Sequence, residues 1–294
     1  MLSTAATIGS TAVPGVGSLG ELAESSAASS RKVRAGVFLA LSVGPLCLAL
    51  ALGCRSSRKS GSAPSASAST QVLSPLAASS WLAVLDVPGF GEARVALPLG
   101  ARSARPIVAV NHGDDDRPEW PCGSYHHAGN AGSFVLCLRG VPRDNGRFGL
   151  ADTATTRAEL RAALPRLKAR YGDHVSKGSI VLAATGPGVE RALGLALEEP
   201  KFFASLVLVD GSLESFTSGV IQRYAQAGGK RVLLVCTPDS PCRADGVDRM
   251  LALKRAGLDV HLLSPPRGFG LDGETTATIR AEWAWLVGGD ARWR

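Results

Sequence analysis

The side chains of this 294-residue chain that could do chemistry fall into a few groups. His126 and His127 follow Asp114, Asp115 and Asp116, and imidazole with carboxylate can act as a base or hold a first-row metal. Their spacing defines no ligand set, so a solvated polar loop is expected and no metal is assigned. Gly186-Pro187-Gly188 leads into a helical pattern, and Asp210 ends the next apolar run 22 residues beyond Gly188, imitating a dinucleotide fingerprint. Arg191 stands where the third glycine belongs, so no nucleotide or other cofactor is called for. Of six cysteines, Cys47 and Cys54 belong to an N-terminal apolar stretch. The other four contain no Cys-x-x-Cys, and proximity favours two disulfides, Cys122–Cys137 and Cys236–Cys242, over zinc. Trp81, Trp120, Trp283, Trp285 and Trp293 are read as packing residues rather than a sugar-stacking platform.

These groups must be positioned by a chain that divides in two. Residues 1–34 are rich in Ser, Ala, Thr and Gly, end in a basic cluster, and are expected to be disordered. Ala35 to Gly53 is an uncharged run of 19 residues, long enough as a helix for a span of about 28 Å. Residues 55–80 hold ten serines and read as a flexible tether. The first sixty residues carry Arg31, Lys32, Arg34, Arg55, Arg58 and Lys59 against Glu21 and Glu24, so they supply most of the formal +7. The basic excess therefore flanks a membrane segment, and the remaining domain has no basic stripe for nucleic acid.

From residue 81 onward the pattern is that of an α/β domain. Residues 81–87 and 93–99 flank Pro-Gly-Phe-Gly, which predicts a hairpin. Continuous apolar runs at 107–111, 134–138, 179–184, 205–209, 231–236 and 259–263 predict strands buried on both faces of a parallel sheet. Helices are predicted over 156–171, with a kink at Pro165, and over 188–199, 215–227, 245–256 and 275–286. The alternation implies a mostly parallel sheet of about eight strands with helices on both faces.

Two resemblances attach to particular residues. Ala51-Leu52-Gly53-Cys54 resembles a bacterial lipobox, which implies lipidation of Cys54; an uncleaved anchor helix is the alternative. The order of elements over 81–294, with Asn111-His112-Gly113 after the third strand and Phe134 to Gly140 around the fourth, resembles the α/β-hydrolase fold of esterases and dienelactone hydrolases. That family carries Gly-x-Ser-x-Gly at a strand-to-helix turn. Here Ala183-Ala184-Thr185-Gly186-Pro187 matches it in outline, with Thr185 in the serine's place and the glycines replaced by Ala183 and Pro187. The resemblance places the acid at Asp239, oxyanion donors at Gly113 and Gly186, and the base at Phe269, which is no base. His261 lies on the last strand and is expected to point into a sheet face.

A hydroxyl without an imidazole lacks its general base. The expected protein is thus an exported domain with a degenerate triad, tethered to a bacterial cell envelope and facing the periplasm or exterior. Its partners are the membrane and a small-molecule or protein ligand in the former cleft. The alternative is an active ester hydrolase using Thr185 and Asp239, with His126 or His127 as a substitute base.

Overall fold

The computed structural model describes residues 72–293. The expectations for residues 1–34, the apolar run, Cys54 and most of the Ser-rich tether lie outside the described residues. Among the described residues no helix is long and apolar enough to cross a membrane.

The chain forms β1 (Leu82–Val87), β2 (Gly91–Ala96), β3 (Ile107–Asn111), α1 (Glu119–Ala128), β4 (Phe134–Cys137), β5 (Val141–Pro142), β6 (Phe148–Gly149) and α2 (Thr153–Tyr171). There follow β7 (Val181–Thr185), α3 (Gly188–Glu198), β8 (Ser205–Val209), α4 (Ser218–Gln226), β9 (Arg231–Val235), α5 (Gly246–Arg255), β10 (Asp259–Leu263) and α6 (Gly273–Leu286). Eight strands make one sheet in the order β1-β2-β4-β3-β7-β8-β9-β10. β1 and β2 pair antiparallel, β2 joins β4 antiparallel, and every later pairing is parallel. β5 and β6 form a separate small hairpin.

The apolar runs sit where two-sided burial requires them. All five residues of β3 are buried, as are all four of β4. One core lies beneath Leu160, Leu193, Ile221 and Leu253 of α2 to α5, and the other beneath Tyr125 of α1 and Ile279 and Trp283 of α6. The predicted hairpin is present, but β2 starts two residues earlier than expected because the loop closes tightly: Phe90 N–H donates to Val87 O at 2.9 Å, with Gly89 at φ +82°.

α2 begins at Thr153, where the Asp152 carboxylate accepts from Thr155 N–H at 2.7 Å, and it continues through Pro165 to Tyr171. α6 is capped alike by Asp272, which accepts from Thr275 N–H at 2.8 Å. α1 replaces the polar loop expected around His126 and His127. Its Pro121 and Gly123 disguise it, yet Pro121 falls in the first turn, where a missing N–H costs nothing. Packing also extends upstream of residue 81: Leu76 is buried, and Leu73 and Leu76 N–H donate to Arg102 O and Ala101 O.

Both disulfides read from proximity are formed. Cys122–Cys137 ties α1 to β4, and Cys236–Cys242 closes the loop after β9.

Candidate functional site

The carboxyl ends of β3, β7, β8 and β9 converge where an open α/β sheet offers its crevice. β7 ends at Thr185 and α3 starts at Gly188, so two residues make the whole turn. Gly186 has φ +55°, the left-handed conformation that costs glycine least. It is the apex, one residue later than the position assigned to Thr185. A Cβ on Gly186 would meet nothing within 4 Å, so this position faces open space.

The frame beneath the apex is tight. A Cβ on Gly188 would lie 2.6 Å from His112 O and 2.8 Å from Asn111 O. The Asn111 side-chain amide donates to Gly188 O at 3.0 Å, pinning the start of α3 to the end of β3. Gly211, just past β8, would drive a Cβ to 2.5 Å from Gly186 O.

Thr185 remains a strand residue, in parallel register with Val209. It shares a sheet face with Ala183, in the core under α1 and α6. Its hydroxyl oxygen is buried and directed at the phenol of Tyr125, without either group completing a hydrogen bond of normal geometry. Burial pushes the Tyr125 phenol far above its ordinary range, so it stays protonated. The expected nucleophile thus points into the core rather than the crevice.

Two acids stand at the carboxyl ends of the strands near the turn, and they differ in burial. Asp239 is exposed and makes no hydrogen bond or ion pair among the described residues. Asp210, at the end of β8, is buried, with φ +53°. Its carboxylate accepts from Thr237 N–H at 2.8 Å, Thr237 Oγ1 at 2.9 Å and Gly270 N–H at 2.9 Å. Three donors occupy it, and the backbone of the loop after β10 takes the contact that an orienting acid gives an imidazole. The same engagement removes Asp210 from any ribose-binding role.

Phe269 is 75% exposed at the tip of that loop, between Gly268 at φ +106° and Gly270 at φ +56°. All five histidines are engaged away from Thr185 and Asp210. His112 lies between Gly113 O at 2.6 Å and Arg139 O at 2.9 Å. His126 stacks on Trp81 and contacts Leu97 O at 3.2 Å, and its burial lowers its pKa. His127 meets Arg280 of α6, and His126 and His127 lie in the last turn of α1, at the opposite end of the sheet from the turn. His174 contacts Ser74 O at 2.9 Å. His261 pairs with Glu282 at 2.7 Å and stacks on Trp285, on the sheet face that its strand position predicted.

The carboxylates of the loop after β3 pair with neighbouring side chains. Arg143 pairs with Asp114 and holds its carboxyl below the ordinary range, while Asp115 takes Asn145 at 2.6 Å and Arg147 at 3.5 Å. These contacts strap the loop after β3 to the β5–β6 hairpin. Among the described residues no group of three ligands could hold a metal.

Of the two residues assigned as oxyanion donors, Gly186 spends its N–H on Val209 O at 2.8 Å. The donor of such a turn is the residue after the apex, and Pro187 has no N–H. Gly113 sits beside the turn, with its carbonyl facing the ring of His112.

No family model and no curated protein matches the sequence. Solved structures do match the fold. Dienelactone hydrolase from Anabaena variabilis is 18% identical with a TM-score of 0.50, the match covering 73% of this chain and 97% of that one. Est1E from Butyrivibrio proteoclasticus, with ferulic acid bound, is 12% identical with a TM-score of 0.54, covering 70% and 99%. TT1662 from Thermus thermophilus is 15% identical with a TM-score of 0.53, covering 71% and 98%. The likeness is one of architecture: residues 72–293 have the α/β-hydrolase fold.

Proposed function

We propose that this chain, built on the α/β-hydrolase fold, is an exported, membrane-tethered protein that binds a small-molecule or protein ligand in its crevice and does not hydrolyse esters. The observation that carries the reading is the turn itself, where Gly186 holds the apex and Pro187 follows it. A nucleophile elbow needs a side-chain oxygen at the first position and an N–H at the second. Both are missing here. One lost oxyanion donor costs roughly 10²- to 10³-fold in rate, and a missing general base roughly 10²- to 10⁴-fold more. Thr185 offers no rescue, because its hydroxyl faces a protonated phenol inside the core.

Export is supported by two disulfides, which persist in oxidising compartments. The tether is supported by the basic-flanked apolar run ending at Cys54. Lipid incorporation by the full chain should vanish in Cys54→Ala, and incorporation that survives would remove the lipoprotein form of the tether.

For the crevice, ester turnover and labelling by a phosphonate probe are compared in the full-length wild type and Thr185→Ala. Neither protein should turn over ester or take label. Wild-type labelling that disappears in Thr185→Ala would sink the binding reading and restore an active hydrolase.

A further inference from the structure

Charge is distributed unequally between the two ends of the sheet. At the amino ends of the parallel strands, opposite the crevice, each of the acids Asp173, Glu199, Asp259 and Asp290 is ion-paired, to Lys168, Arg161, Arg231 and Arg292 respectively. Arg102, Lys177, Lys201, Lys230 and Lys254 lie at that same end, exposed and without an ion pair among the described residues. Every described lysine belongs to this end. The crevice end instead carries Asp144, Glu214, Asp239 and Asp248 exposed and unpaired, against Arg117 and Arg243, also exposed and without an ion pair among the described residues.

The chain also enters the domain at the cationic end. Leu73 N–H donates to Arg102 O at 2.8 Å, Leu76 N–H to Ala101 O at 2.9 Å, and Gly100 N–H returns to Leu76 O at 2.8 Å. Ser74 O is held by His174 at 2.9 Å, beside the start of β3. Upstream, 17 residues lie between Cys54 and Val72. An anchor at Cys54 would therefore join the domain through a short length of chain that enters at this end and not at the crevice.

We propose that the end of the sheet bearing Arg102, Lys177, Lys201, Lys230 and Lys254 docks on an anionic lipid surface and turns the crevice away from the membrane. This rests on the tether of the proposed function and adds to it an orientation and a lipid class. The chemistry is that of separate ammonium and guanidinium groups on short loops and, for Lys254, the last turn of α5, which suits a carpet of phosphate headgroups. Each basic side chain brought to such a surface favours binding by roughly fivefold, within a screening length of about 8 Å at physiological salt.

The test uses the full chain on vesicles of phosphatidylcholine, with or without phosphatidylglycerol, read by flotation and by hydrogen exchange. Flotation with both vesicle types is expected. On the anionic vesicles, peptides covering 97–106, 199–204 and 227–231 should exchange about tenfold more slowly, while 264–272 stays unchanged. High salt, or the triple variant Lys177→Glu, Lys201→Glu, Lys230→Glu, should abolish the protection without abolishing flotation. A chain that floats but exchanges alike on both vesicles, or is protected at 264–272 instead, overturns the docking and leaves the tether standing. A chain that floats with neither removes the tether, and the orientation falls with it.

Discussion

Gly186 and Gly188 stand two residues apart in one turn, yet a methyl group on Gly188 would lie 2.6 Å from His112 O and one on Gly186 would meet nothing within 4 Å. The side of the turn facing the sheet is closely fitted, with Asn111 bonded to Gly188 O and Gly211 pressed under Gly186. The side facing the crevice has room but no reactive group. Holding a sharp strand-to-helix turn and arming it are separate physical demands. Stability rests on backbone approach beneath the apex, whereas catalysis would require an oxygen, an N–H and an imidazole above it.

The largest expected effect follows from the fitted side. Gly188→Ala forces a Cβ against two backbone carbonyls that cannot rotate away, and should cost about 3 kcal/mol or more in denaturant unfolding. A cost under about 1 kcal/mol would mean that the frame yields easily, and the contrast between the two glycines would collapse. Asp210→Ala comes next. It leaves the N–H groups of Thr237 and Gly270 without their acceptor, at an expected cost of about 2 kcal/mol. Faster proteolysis within 264–272 would locate the loss in the loop that Asp210 holds. Unchanged stability and cleavage would show that the clamp carries no load.

On the open side, Gly186→Ser should cost only about 1 kcal/mol, the penalty of a side chain at a left-handed φ. Its hydroxyl would reach the crevice, but ester turnover should remain absent because Pro187 and Phe269 supply neither N–H nor base. Turnover in this single variant would show that the crevice holds more catalytic machinery than its geometry indicates.

The strands were legible because runs such as Ile107–Asn111 are apolar on both faces, a pattern that few elements other than a buried parallel strand satisfy. α1 was not, since Pro121 and Gly123 read as breakers until one knows that the proline falls in the first turn. The apex was misplaced by one residue because Thr185 offered the only hydroxyl. A local signal was available: of Thr185, Gly186 and Pro187, only glycine adopts φ near +55° cheaply. Asp210 was visible as a strand-end acid, but its partner Gly270 is 60 residues away, and no local pattern encodes that contact. The pairing of Asp114 with Arg143 and of Asp115 with Arg147 is likewise tertiary, so a stretch that reads as a solvated polar loop is a strap.

The smallest effect concerns Glu159, which supports the fitted side from α2. Its buried carboxylate accepts from Arg139 N–H at 2.5 Å and Gly140 N–H at 3.3 Å, next to the ring of His112. Burial pushes its pKa up, outweighing the downward pull of those two N–H groups. The folded state therefore holds the proton more tightly than the unfolded chain does. This group's contribution is most favourable below the ordinary glutamate range, and it declines as pH rises through that range toward the raised value. Carboxylates such as Asp114 and Asp272, held below their ordinary range, act in the opposite sense and lose their contribution as pH falls. Glu159→Gln removes only the first term, so unfolding midpoints followed against pH should decline less, or rise more, across the glutamate range than in the wild type. Parallel pH profiles for the two proteins would mean that the carboxylate titrates alike in both states, and that the surroundings of Glu159 are wetter than its burial implies.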